Sequence, residues 1–401
     1  MKKGITTISD ILSKEIFHWK GKLEPIGSSD VIGKNLANAI QAFDDFRTNY
    51  AFFFLSNLEK VKHPTDWFLF RIEQTLLEYW EPIKRAVDHH IQYPELVTLG
   101  TEQLEAYKKK LEITKDIPAI LYFDKFPKAL RLPFGPIFFI GIPLTDAYRG
   151  DWKAIPHELG HQVYWNSQFL IKDLSKIPYQ KRSSRKLIAK PKESIFQDFI
   201  EESTTHSEWT PERIQEIKTS LGQWSEEIFA EVIGTKIAGK NFVNASWGKI
   251  LNYIQKPEDA FSNDGEHPKP FLLPFIRQYT NDKSTDTKSY IEEAQTKITK
   301  NDSLDSLEIN SLEALKIFID KISDITLKPI IASGLNPFNQ LRVEFPEDTI
   351  VKKLLEPLIL EGGATWTCEG NKENGICQSI CIEGTHNRPF WSDWIAYING
   401  C

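Results

Sequence analysis

Apolar residues recur every three to four positions through the first 115 residues, in stretches such as NLANAIQAFDDFRTNYAFFFLSNLEKV and WFLFRIEQTLLEYWEPIKRAVDHHI. That period puts them on one face of a helix, so residues 1–115 are expected to form a helical N-terminal region. His89 and His90 lie within it, diverge by about 100° around a helix axis, and are expected to be plain surface residues, not a pair of ligands. From about residue 117 the pattern changes to short apolar runs bounded by Pro and Gly, IPAILYFDKF and ALRLPFGPIFFIGIPL, which predict a small sheet. Pro136 and Pro143 cannot donate to a ladder, and the run IFFIGI between them is therefore expected at an edge of that sheet. Helical spacing returns in DWKAIPHELGHQVYWNS, in ESIFQDFIEES and in TPERIQEIKTSLGQWSEEIFAEVIGTKIAG. In the last of these Thr210 followed by Pro211 predicts the start and Gly239 the stop.

Between the first two helical stretches lie eight basic residues from Lys172 to Lys192, read as a solvated loop, with a lid or substrate-facing role as the alternative. The polar stretch NDKSTDTKSYIEEAQTKITKNDSLDS suits a linker or an exposed helix, and SLEALKIFIDKISD and TIVKKLLEPLILEG are amphipathic helices ahead of a cysteine-bearing tail. The pattern as a whole predicts an α+β, predominantly helical chain. Its expected divisions are a helical region at 1–115, a sheet-containing core at 116–281, a polar linker with helices at 282–365 and a tail at 366–401.

Composition narrows the partners. The formal charge is −6, with 49 basic and 55 acidic residues well mixed, which offers no extended electropositive surface for nucleic acid. AFFFL and PIFFIGIPL fall far short of a membrane span, and MKKGITTISDILSKEIF lacks the apolar stretch of a signal peptide, so a cytoplasmic location is expected. Cys368, Cys377, Cys381 and Cys401 all fall within the last 34 residues. They contain no paired C-x-x-C knuckles, which argues against a zinc ribbon, and are expected to pair locally. A reducing cytoplasm disfavours such pairing, and export by another route would reconcile the two.

The stretch AIPHELGHQVYW, Ala154 to Trp165, carries the chemistry. On a helix His157 and His161 lie about 40° apart, so both imidazoles project from one face and can grip one ion. Glu158 falls beside them, suited to act on a water without ligating the metal. A hydrolytic zinc site takes three protein ligands, and a third histidine at the extended-motif position is excluded because Tyr164 and Ser167 stand where Gly and His are needed. Glu227 is the expected third ligand. Glu231, four residues on, shares its face and is expected to accept a hydrogen bond from the far nitrogen of a ligating imidazole. Ala230, Gly234 and Ala238 recur nearly on that face and would let this helix approach the histidine helix closely. Glu226 and the pair Glu201/Glu202 are the alternatives for the third ligand.

These residues resemble the gluzincin zinc metallopeptidases, with H-E-x-x-H and a downstream Glu helix of form E-x-x-x-D, the last position here being Glu231. The 65 residues between His161 and Glu227, and the later EHPKPFLLPFIR with His267, Pro268 and Arg277, are closest in layout to the HtpX and CAAX prenyl-protein endopeptidase type, without its transmembrane helices. The resemblance covers about residues 136–280. It implies a zincin-like catalytic core with one zinc per chain and cleavage of a peptide or protein by a zinc-activated water, Glu158 being the general base. His267 is the first candidate for steadying the negative oxygen that develops, and Arg277 and Tyr279 follow, with a buried structural ion pair as the other reading of Arg277. A substrate strand adding to IFFIGI would fix the scissile bond. The competing reading is a non-catalytic binding or scaffold protein with a structural or vacant site, against which Glu158 argues, since such a site has no use for that carboxylate.

Overall fold

A computed structural model of the chain describes residues 2–27, 30–58, 66–111, 117–130, 132, 137–166, 169–171, 192–253, 256–262, 264–265, 267–298, 306–327, 340–344, 365–369 and 379–383. The fold is predominantly helical with a small three-stranded sheet, an α+β arrangement. Among the described residues no helix is long and apolar enough to cross a membrane. Contacts divide the chain into two units, Met1–Gln103, Thr114–Gly150 and Ile331–Cys401 in one, Leu104–Ile113 and Asp151–Ile330 in the other. The expected boundaries at 115/116 and 281/282 do not coincide with this division.

In the first unit α1 (Lys2–Gly27), α2 (Val31–Leu58) and α3 (Asp66–Gln92) pack against one another, and α4 (Pro94–Lys110) begins there and runs on into the second unit. Trp80 of α3 is fully buried, stacks on Phe43 of α2 at 5.2 Å and donates from Nε1 to Glu15 Oε2 of α1 at 2.6 Å. The two histidines of α3 are not the surface residues expected. His90 is buried with Nε2 2.8 Å from Asp30 Oδ2, while Asp30 Oδ1 also accepts the Ile32 N–H at the start of α2. His89 is half-buried, its Nδ1 accepts the Phe123 backbone N–H at 3.1 Å, and burial pushes its pKa down.

The sheet of this unit consists of β1 (Ala119–Asp124), β2 (Lys128–Leu130) and β3 (Phe138–Pro143), in the order β1-β3-β2. The run IFFIGI is therefore central, paired in parallel with β1 and antiparallel with β2, and the expected edge position is wrong. The prolines bracket the run without interrupting it. Residues 138–142 all keep their N–H groups, Phe138, Phe139, Ile140 and Ile142 are buried, and neither side of the strand is left for a substrate to join. α5 (Leu144–Tyr148) follows directly.

The second unit centres on α6 (Ala154–Asn166) and α8 (Pro211–Ala238), which pack along each other more extensively than any other pair of elements. α8 starts as expected, with the Thr210 hydroxyl accepting the Arg213 N–H at 3.3 Å and Pro211 in the first turn, and it stops at Gly239, whose φ of 70° suits a residue without a side chain. α7 (Lys192–Ser203), α11 (Leu272–Asn281) and α13 (Ser306–Ser323) pack against α8, with α9 (Lys240–Asn244), α10 (Ser246–Tyr253) and a 3-10 turn at Pro257–Phe261 before α11. β4 (Phe169–Ile171) pairs antiparallel with β5 (Ile325–Leu327). The stretch expected as a linker contains α12 (Thr287–Ile298), whose Tyr290 is buried against Trp247 and Phe275 and donates its hydroxyl to the Phe271 carbonyl.

A further antiparallel sheet is formed by β6 (Gln340–Glu344), β7 (Thr365–Glu369) and β8 (Ser379–Glu383), in the order β6-β8-β7. Cys368 of β7 stands opposite Ile380, and Cys381 of β8 opposite Thr367. Cys377 and Cys401 lie outside the described residues, as do the helix expected at 349–362 and the basic segment 172–191.

Two glycines separate the roles of backbone approach and helix propensity. A Cβ at Gly160 of α6 would stand 2.6 Å from Ala230 Cα and 2.7 Å from Ala230 O of α8, both backbone atoms, whereas one at Gly222 would meet only Ile200 Cδ1 at 3.9 Å. Gly160→Ala is expected to force the two helices apart and cost about 1–3 kcal/mol, while Gly222→Ala is neutral or stabilises by up to about 1 kcal/mol. Urea unfolding of the two variants beside wild type measures this.

Candidate metal centre

α6 presents His157 and His161 one turn apart, and α8 presents Glu227 to both. The rings cross at 83° with centroids 4.8 Å apart, and their Nε2 atoms approach to 3.2 Å. Glu227 faces each ring with one oxygen, Oε2 at 3.3 Å from His157 Nε2 and Oε1 at 3.3 Å from His161 Nε2. Helix proximity makes this reach possible. Besides the contact at Gly160, a Cβ at Gly234 would lie 3.2 Å from the backbone of Pro156 and His157, so α8 passes close beside the histidine turn.

The other nitrogen of each ring is already held. His157 Nδ1 lies 3.1 Å from Glu231 Oε1, and His161 Nδ1 donates to Glu226 Oε1 at 3.0 Å. Glu231 is buried and in turn receives two hydrogen bonds from Arg277 of α11, Nε to Oε2 at 2.6 Å and Nη2 to Oε1 at 2.8 Å. The Arg277 guanidinium also lies over the Phe242 ring at 3.8 Å. Arg277 is thus brought to Glu231 and not to the converging nitrogens, so its expected role as a donor to the reacting carbonyl gives way to holding Glu231. Tyr279 is likewise engaged elsewhere, donating its hydroxyl to Asp320 Oδ2 at 2.8 Å.

His267 is exposed at the rim, with Nε2 3.8 Å from Glu227 Oε1. Asp264 fixes it twice, accepting its backbone N–H through Oδ1 and its ring Nδ1–H through Oδ2, both at 2.8 Å. Glu158 is buried on α6, and its charge acts on His157. Trp165, one turn beyond His161, stacks on that ring at 5.7 Å. Glu201 and Glu202 are occupied by Lys218 and Lys321. Sequence reading missed Asp264, although an aspartate three residues ahead of a histidine is the spacing of an Asx turn. It also placed Glu226 only as a spare ligand.

The cluster gathers four carboxylates, Glu158, Glu226, Glu227 and Glu231, against the one guanidinium of Arg277. Burial opposes charge on His157, but the charge of Glu231 and the hydrogen bonds to Glu227 and Glu231 outweigh it and lift its pKa to about 10. Burial likewise opposes charge on His161, where Glu226 and Glu227 prevail and raise the pKa to about 9. The Glu227 carboxyl, which burial alone would push up, is held far below the usual range by both histidines, and that of Glu231 by Arg277 and His157. The group therefore requires positive charge at its centre, which protons or an ion can supply. His157, His161 and Glu227 could hold a metal ion, their ligand atoms lying within 4.8 Å of one another. The contacts of 3.2–3.3 Å approach the edge of about 3.3–3.4 Å of a tetrahedron whose donors stand ~2.0–2.1 Å from zinc, so the donor set fits. No protein-family model, curated protein or solved structure matches the chain.

Raised histidine pKa values stabilise the metal-free protein below about pH 6.5, and that stability is lost as pH climbs through about 9 and 10. An ion must instead expel the Nε2 protons. Binding of a divalent metal at pH 7 is expected to release close to two protons per ion, and affinity to rise with pH up to about 9–10. Calorimetry in buffers of different ionisation enthalpy counts the protons.

The Arg277–Glu231 pair gives a separate expectation. Both side chains are almost wholly inaccessible, and Arg277→Met would leave the Glu231 carboxylate buried with His157 alone. A loss of about 3–5 kcal/mol in unfolding free energy is expected, read from urea midpoints of the metal-free proteins.

Proposed function

We propose that the protein is a zinc-dependent metallopeptidase built on a zincin-like core, with His157, His161 and Glu227 as the zinc ligands. The observation that carries this reading is the convergence of two Nε2 atoms and one carboxylate while both Nδ1 atoms are engaged by Glu231 and Glu226. Zinc held there supplies Lewis acidity, bringing the pKa of a water to about 7 and polarising a carbonyl. Glu158 takes the proton of the attacking water and passes it to the departing amine. It is buried beside the histidines without belonging to the three-residue ligand group, the combination a general base needs.

His267 is the donor to the oxygen that becomes negative, an interaction typically worth ~3 kcal/mol of the barrier. Its Nδ1 is committed to Asp264, so Nε2 is the atom available at the rim. Arg277 acts at a distance, steadying Glu231 and through it the ring of His157. The substrate is a peptide or protein.

Glu158→Gln keeps size and hydrogen-bonding capacity but removes the base. That variant is expected to retain one zinc per chain while turnover falls by about 10²–10⁴-fold, whereas His157→Ala loses the metal. Metal analysis of the purified proteins together with a cleavage screen over unfolded proteome substrates tests both. Near-wild-type turnover in Glu158→Gln would sink the mechanism, and zinc uptake with no cleavage by the wild type would leave a binding or scaffold protein.

A further inference from the structure

Both imidazoles of the centre are held from behind by carboxylates of α8, but the two supports differ in kind. Behind His157 stands Glu231, its side chain 3% exposed and clamped through both oxygens by Arg277. Behind His161 stands Glu226, its side chain 36% exposed. Among the described residues, its 3.0 Å hydrogen bond from His161 Nδ1 is the one polar contact Glu226 makes. Trp165 covers one face of the His161 ring but has no means of fixing its rotation about the axis that turns Nε2 toward Glu227. That rotation is set by the hydrogen bond at Nδ1, which also decides the tautomer by keeping the proton outward and the Nε2 lone pair inward.

We infer that Glu226 is a positioning residue that keeps His161 in its ligating orientation, and that His161 is the first protein ligand to let go when the ion leaves. The inference rests on the metal-holding part of the proposed function and not on hydrolysis. A chelated ion departs by losing its ligands one at a time, so the least firmly supported arm sets the rate. Water at the surface competes for Glu226, whereas Glu231 is shielded from it and doubly bonded to a guanidinium. The His157 arm is consequently fixed and the His161 arm is the one that swings.

The test uses the full chain loaded with zinc, and follows affinity and the rate of release to an excess of a chromophoric chelator. Wild type is compared with Glu226→Ala, with Glu226→Gln, whose amide oxygen still accepts from Nδ1, and with Glu216→Ala, which removes an exposed acid from the same helix. Glu226→Ala is expected to release zinc about 10–100-fold faster with its helical circular dichroism intact, while Glu226→Gln and Glu216→Ala stay within a few-fold of wild type. The visible spectrum of the cobalt-loaded protein should shift in Glu226→Ala and not in Glu226→Gln. Unchanged release from Glu226→Ala overturns the inference, and so does a Glu226→Gln variant as fast as Glu226→Ala, because charge and not orientation would then be at work. A wild type that takes up neither zinc nor cobalt overturns the metal reading and this one together. One that binds zinc but cuts nothing overturns the peptidase reading alone.

Discussion

At Gly160 the backbone of α6 runs so close to α8 that the Ala230 Cα occupies the space a methyl group would need. Glutamate has a short reach, and one rooted on a helix at an ordinary packing distance of 8–10 Å would touch a single ring of its neighbour at best. Here Glu227 touches two. The approach at Gly160 and the second one at Gly234 bring the helices near enough for Glu226, Glu227 and Glu231 all to bond to the same histidine pair. The other helices of this unit serve the contact: α7, α11 and α13 pack against α8, and α11 contributes the arginine that secures Glu231.

Close approach creates an electrostatic demand. Carboxylates withdrawn from water are tolerated only where positive charge meets them, and one guanidinium does not balance four of them. The imidazoles meet the remainder by holding protons, which is why burial fails to lower their pKa values. A doubly charged ion answers the same need from the centre of the group. Stability of the metal-free fold and affinity for metal are thus two expressions of one charge imbalance, and pH shifts them in opposite directions.

Much of this was legible in the sequence because it obeys periodicity. The four-residue steps from His157 to His161 and from Glu227 to Glu231 specify helix faces, and Thr210, Pro211 and Gly239 mark the ends of α8. Ala230 and Gly234 announced a close neighbour. What periodicity does not reveal is which element lies opposite. IFFIGI has the same sequence whether it sits at the edge or in the middle of a sheet, and its flanking prolines limit the strand's length without deciding its place. His90 looked like a surface residue because its partner, Asp30, lies 60 residues earlier in the chain. The split of labour between Glu226 and Arg277 was hidden similarly: a carboxylate and a guanidinium can each face an ion or its ligands, and only the tertiary contact decides.

The centre is written on two short stretches, His157 to Trp165 and Glu226 to Glu231, with a rim from Asp264 to His267. Within the two helical stretches spacing is rigid, since one residue gained or lost between Glu227 and Glu231 would turn the second acid by about 100° and away from its imidazole. The long span joining them carries no such restriction, because the register between α6 and α8 is set by Gly160 against Ala230 and not by the chain in between. Length in that span can therefore drift while the chemistry stays fixed. Descendants of this chain would be recognised by two rhythms of four and not by the distance that separates them.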